Sequence, residues 1–190
     1  MKNLLLLLAL LGAVSSGGAV EPLAIPGGPA PMIDQHLDDP AWQNAARRLL
    51  PDGTEIWAQQ DDVYFYFAIK APTPRIFGME FYIAEAPGRL VDLHASAYLG
   101  ERVAENGRWP DWTWWNADRW TATIVPYLME NNQRTFTALA GKEFQFSKAR
   151  FSAAHYRIRF EFHYRRDQST VYPASSAEFD PTDWLEIVLR

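Results

Sequence analysis

The chain contains no cysteine. That excludes disulfides, thiolate metal sites and a lipid-anchoring cysteine, so the fold must rest on packing alone. Basic residues are in the minority, 18 Lys and Arg against 23 Asp and Glu, for a formal net charge of -5. Phosphate backbones are bound largely through clustered Lys and Arg, so this balance argues against nucleic acid as a partner. Catalytic signatures are missing too: there is no G-x-S-x-G, no H-E-x-x-H and no phosphate loop. Carboxylate pairs such as Glu101 with Glu105, or Asp180 with Asp183, have no context that fixes a glycosidase separation. The chain reads as a binding protein rather than an enzyme.

Long apolar runs are also scarce. The one present, Leu4 to Val14, follows Lys2 and precedes Gly17-Gly18-Ala19. It is too short for a bilayer, which takes about 20 apolar residues. A basic start, an apolar stretch and small residues have the order of a secretory signal peptide over residues 1–19, cleaved after Ala19. The mature protein is therefore expected to be exported, periplasmic or extracellular, with no membrane anchor. Residues 20–32, with Pro22, Pro26, Gly27, Gly28, Pro29 and Pro31, predict an extended leader that holds neither helix nor ladder. What remains, 33–190, is a normal size for one domain.

Within that domain Asp39-Pro40 can cap and start a short helix in the helix-permissive stretch Ala41 to Leu50. The period then changes to two. Thr54 to Gln60 and Val63 to Lys70 flank Asp61-Asp62, a hairpin signature. The second run is apolar on both faces, which predicts a central strand. Ile76 to Ala84 and Arg89 to Val103 follow as strands, the latter with Val91, Leu93 and Ala95 opposed to Asp92, His94 and Ser96. His155 to Arg166 alternates most clearly, and Trp120 to Tyr127, Phe136 to Phe146 and Trp184 to Leu189 add shorter strands. The expected fold is all-β, an antiparallel β-sandwich of jelly-roll type with one short helix near the mature N-terminus.

The segment Ile33-Asp34-Gln35-His36-Leu37-Asp38-Asp39-Pro40-Ala41-Trp42, followed by Asp61-Asp62-Val63-Tyr64-Phe65-Tyr66, resembles the opening of family 9-like carbohydrate-binding modules. Gln35 stands where that opening usually has Gly, which bears on the tight turn. The resemblance implies a β-sandwich and, more weakly, a glycan ligand; related sandwiches, DOMON domains among them, hold sugar, haem or neither. Leu37 and Trp42 are spaced to plug the end of such a sandwich and Asp39 to cap the turn, so the motif is scaffold.

Five of the eight tryptophans fall in one window, Trp109, Trp112, Trp114, Trp115 and Trp120. A pyranose offers a C–H face and a rim of hydroxyls, so its recognition needs a flat aromatic surface with polar groups beside it. Strand alternation sends Trp115 and Trp120 to the core. Trp109, in a loop, and Trp112 and Trp114, which share a strand face, are the candidate platform, with Asp111 and Asn116 to hydrogen-bond hydroxyls and His94 to border the groove. For Trp112 and Trp114, core and ligand contact stay open alternatives. If the strands of His94 and Arg157 share a sheet, their polar faces form either a groove or a solvated surface with cross-strand ion pairs, and the latter is favoured.

No cofactor is expected. A haem reading would need His94 or His163 with Met79 or Met129, and the absence of C-x-x-C-H excludes covalent haem. Asp34, Asp38 and Asp39, or Asp180 and Asp183, offer oxygen ligands for the structural calcium that the resemblance brings with it, without EF-hand spacing. The leading expectation is an exported, non-catalytic module binding a carbohydrate or similar small polar ligand. The alternatives are a periplasmic haem or electron-transfer module of the DOMON type and an accessory domain with no small-molecule ligand.

Overall fold

The computed structural model describes residues 20–85, 88–114, 119–151, 155–165, 168–174 and 176–190. The signal peptide expected over 1–19 lies outside them. In chain order the strands are β1 (Leu23–Ile25), β2 (Ala46–Leu49), β3 (Glu55–Gln60), β4 (Tyr64–Arg75) and β5 (Gly78–Glu85). Then come β6 (Arg89–Ala95), β7 (Leu99–Val103), β8 (Thr113–Trp114), β9 (Trp120–Ala122) and β10 (Tyr127–Glu130). The last are β11 (Gln133–Phe136), β12 (Leu139–Ser147), β13 (His155–Arg165), β14 (Gln168–Tyr172) and β15 (Leu185–Leu189).

They form two facing sheets and a separate hairpin. The larger sheet runs β1-β15-β13-β5-β6-β7-β8 with β14 on β13, the smaller β2-β3-β4-β12-β9, and β10 pairs only with β11. The run that is apolar on both faces, β4, is the middle strand of the smaller sheet. Its Phe65, Phe67 and Ile69 point into the sandwich, where Phe81 meets Phe67, Phe144, Phe146 and Phe160 at centroid distances of 5.1, 5.4, 5.0 and 4.7 Å. Burying each such ring contributes about 1.5–3 kcal/mol, which is how the chain does without disulfides.

Four expectations are corrected. The short helix expected within Ala41 to Leu50 is only a 3-10 turn, Pro40–Asn44, which leads into β2, and β2 pairs with β3. Asp39 does cap that turn, accepting from the Ala41 N–H. Helix propensity is a weak preference, and the ladder to β3 overrides it. The leader does enter a ladder: Leu23–Ile25 pairs in parallel with β15, closing the edge of the larger sheet. Arg89 to Val103 is not one strand but the hairpin β6–β7, turned at Ser96 to Tyr98.

The opening motif plugs no end of the sandwich. It lies on the outer face of the smaller sheet, where Trp42 packs with Trp57, Tyr66 and Ala68. The buried Glu143 of β12 fastens it, accepting from Trp42 Nε1 (3.0 Å) and from the backbone N–H groups of Asp34 (3.0 Å) and Gln35 (2.8 Å). Gln35 takes the left-handed backbone that Gly would favour, φ 79°. Gly141 underlies the same contact: a Cβ there would stand 2.4 Å from the Ile69 carbonyl oxygen and 2.5 Å from Leu37.

Candidate functional site

Period-two alternation gives the larger sheet one face toward the core and one away from it. On the outward face register lines up two rows of side chains. One runs Arg159, Tyr82, Asp92, Arg102 across β13, β5, β6 and β7; the other runs Glu161, Glu80, His94, Gly100 and on to Trp114 of β8. Directly opposed side chains lie within about 4.5–5.5 Å of one another at Cβ, so each row is a chain of contacts.

In the second row His94 Nδ1 is 2.8 Å from Glu80 Oε1 and its Nε2 2.7 Å from Ser96 Oγ. Gly100 leaves the space into which the indoles settle. A Cβ there would come within 3.0 Å of Trp114 and 3.3 Å of Trp112. The two rings stack at 6.2 Å and 24°, with His94 edge-on to both at 5.4 and 6.1 Å. Trp114 is 57% exposed. Its place on the outward face settles the open alternative: Trp114 is not a core residue, and Trp112 is half-buried beside it.

In the first row Arg102 donates to Asp92 Oδ2 from Nε (2.9 Å) and lies 2.8 Å from it through Nη2. Its guanidinium also sits between Trp112, 4.2 Å away, and Trp109, 5.0 Å away. Arg159 lies 4.6 Å above the Tyr82 ring and bonds Glu161 at 3.2 Å. Residues 176–184 cross this row as a strap. Its Glu178 accepts from Trp109 Nε1 (2.6 Å) and the Tyr82 hydroxyl (3.5 Å), and Trp184 Nε1 donates to Ala177 O (2.7 Å).

The favoured expectation of a solvated face is therefore corrected. The cross-strand ion pairs are present, but Asp92, Glu80, Tyr82 and Arg159 are buried under the strap and the indoles. Burial and the neighbouring Glu80 hold the Asp92 carboxyl well above the usual range, against the pull of Arg102. Trp109, expected to be exposed, is half-buried between Arg102, Tyr82 and Phe179. Asp111 is exposed just before β8. Trp115 and Asn116 lie outside the described residues. Trp120 is in the core, its Nε1 donating to Glu101.

Five buried side-chain atoms find no hydrogen-bond partner among the described residues, and four of them are on this face: Glu80 Oε2, Asp92 Oδ1, Arg159 Nη1 and His163 Nε2. His163 Nε2 stands 3.7 Å from Glu80 Oε1, too far for a hydrogen bond. Buried polar groups are nearly always paired, so four orphans on adjacent strands call for partners that the described residues do not supply, such as water or a ligand. The row through Glu80 is the more open: the His94 side chain is 21% exposed, and that of His163, beside the row on β13, 38%, against none for Asp92. Sequence alternation pointed to Asp92 and His94 but missed Glu80, Arg102 and Glu178, which matter only through register and the strap.

The haem ligands are not brought together. Met79 lies in the core, on the opposite face from His94 and His163, and Met129 lies on the separate hairpin. Three of the aspartates considered for calcium hold turns: Asp39 accepts from Met32 and Ala41 N–H, Asp34 from His36 N–H, and Asp180 from Thr182. No group of three or more His, Asp and Glu among the described residues is placed to hold a metal. No described helix is long and apolar enough to cross a membrane.

No family model matches the chain, and no curated protein matches its sequence. Its structure is similar to a family 9 carbohydrate-binding module from Caldicellulosiruptor kristjanssonii, solved in complex with cellotriose, with a TM-score of 0.52. That match is 13% identical and covers 90% of this chain and 94% of the other. The chain thus has the fold of a family 9 carbohydrate-binding module.

Proposed function

We propose that this chain is an exported, non-catalytic carbohydrate-binding protein whose site is the outward face of the larger sheet. A sugar stacks its C–H face on Trp114, with Trp112 behind it, while Glu80, His94 and His163 meet its hydroxyls. Asp92, Arg102 and Arg159, deeper in the face, set the charge beneath it. Asp111 borders the platform. The observation that carries this reading is the coincidence of the unpaired Glu80 and His163 atoms with a stacked indole pair, its Trp114 ring exposed, on one face. A sugar answers both at once, since each hydroxyl donates and accepts and the ring's C–H face suits an aromatic plane. The fold it shares with a module solved around cellotriose agrees, and the order of residues 1–19 supports export.

Titration calorimetry against a panel of soluble glycans that includes cellotriose tests the reading. Binding is expected for at least one sugar, and Trp114→Ala is expected to abolish it while leaving the thermal unfolding midpoint nearly unchanged. A panel without binding, or binding untouched by Trp114→Ala, overturns it.

A further inference from the structure

The aromatic surface does not end at Trp114. Tyr98, at the β6–β7 turn and 47% exposed, stands edge-on to Trp114 at 6.3 Å. Arg134 of β11 then lies 5.7 Å from the Tyr98 ring and 5.1 Å from the Tyr127 ring, and Tyr127 meets Phe136 at 5.6 Å. From His94 the surface thus runs through Trp114, Tyr98 and Arg134 across the sheet edge to the β10–β11 hairpin.

Beyond Trp114 the surface opens into a cleft of about 400 Å³ between the edges of the two sheets, walled by Tyr98, Leu99, Trp114, Thr121 and Ile124. That is within the size range of small-molecule sites, roughly 300–1,000 Å³. The cleft is open, not capped. A two-stranded hairpin is at best marginally stable alone. Among the described residues this one pairs with neither sheet, and its aromatic side is turned to the strip by Arg134 and Tyr127.

We propose that the ligand is an internal stretch of a polysaccharide chain, laid from His94 over Trp114 and Tyr98 to the hairpin, rather than a single sugar or a chain end. A chain end calls for a closed pocket that stops the glycan; an open strip flanked by stacking rings lets it pass in both directions. The inference rests on the reading that this face binds a glycan, and it names which kind.

The test is a length series measured by calorimetry: cellobiose, cellotriose and cellohexaose, with the matching xylo- and manno-oligosaccharides. Affinity is expected to rise roughly tenfold or more from disaccharide to hexasaccharide, the increment that added aromatic contacts provide. Borohydride reduction of the hexasaccharide's reducing end should leave its affinity unchanged. Tyr98→Ala should bring hexasaccharide binding down toward the disaccharide level without weakening the disaccharide, and Tyr98→Phe should retain it. Equal affinity for short and long oligosaccharides, loss of binding on reduction, or a Tyr98→Ala chain that still gains from length would overturn this inference and leave glycan binding standing. No binding at any length overturns both.

Discussion

Both outward faces of the sandwich carry tryptophans over a buried carboxylate, yet they differ in how their polar groups are answered. On the smaller sheet Glu143 receives three donors from the opening segment and Trp42 is sealed over it. On the larger sheet Glu80 keeps one buried oxygen unanswered, three neighbours each keep a buried oxygen or nitrogen without a partner among the described residues, and Trp114 stays open to solvent. Aromatic content is common to the two. What separates a scaffold from a candidate site is how many buried polar atoms go unanswered among the described residues: Gln59 Oε1 alone on the smaller sheet's outward face, four on the larger's.

Removing each carboxylate should separate the faces most sharply. Glu143→Ala strands a buried indole N–H and two backbone N–H groups, at about 1–3 kcal/mol for each left unsatisfied, so a total of about 3–5 kcal/mol is expected in urea unfolding. Ligand affinity of the folded fraction should not change. Glu80→Gln should do the opposite: stability within about 1 kcal/mol, and affinity lower by roughly tenfold to a hundredfold, the loss of one charge-assisted hydrogen bond. A Glu80 variant that unfolds the protein and spares binding would erase the distinction.

Beside Glu143, but pointing into the sandwich, Lys142 is buried with Nζ 3.2 Å from the Thr123 carbonyl and no carboxylate partner among its hydrogen bonds. Burial pushes its amine down to about 7. The unfolded chain, with the ordinary value of 10.5, binds a proton that the folded chain refuses between about pH 7 and 10.5. Stability should therefore rise with pH across that window and be flat with respect to this group below it. Lys142→Met should remove the slope and raise stability at pH 7 by a few kcal/mol, on the order of 3. Chemical denaturation at pH 7 and pH 10 checks this, and an unchanged slope would mean that another group sets it.

Much of the sandwich was legible because its strongest strands are periodic. The doubly apolar Val63 to Ile69 run forecast the middle strand β4, and the alternation from His155 forecast β13. The motif from Ile33 to Trp42 pointed to the fold that the structure shows. What escaped depends on distant pairings. Leu23–Ile25 is a strand only because β15 lies beside it, and Ala46–Leu49 only because β3 does. The face of the site was half visible, since Asp92 and His94 alternate outward, but nothing local says that Glu178 and Trp109 close over them. The Asn131-Asn132 turn between β10 and β11 carried a readable signal, both residues at positive φ as a tight hairpin turn needs.

The smallest effect concerns how well the scaffold face is made. Gln35 holds φ 79° where the resembling opening has Gly, and it does so with its N–H bonded to Glu143. A side chain in left-handed backbone costs about 1–2 kcal/mol. Glycine removes that strain but makes the unfolded chain more flexible, at about 0.4–1 kcal/mol. The strain is the larger, so Gln35→Gly should stabilise the protein by roughly 0.5–1 kcal/mol. Gln35→Val should cost more than glycine gains, because a β-branched side chain tolerates positive φ least. Urea midpoints of the two variants against the parent measure both signs. If Gln35→Gly destabilises, the Gln35 side chain itself holds the opening segment, and the smaller sheet's face depends on more than Glu143 and Trp42.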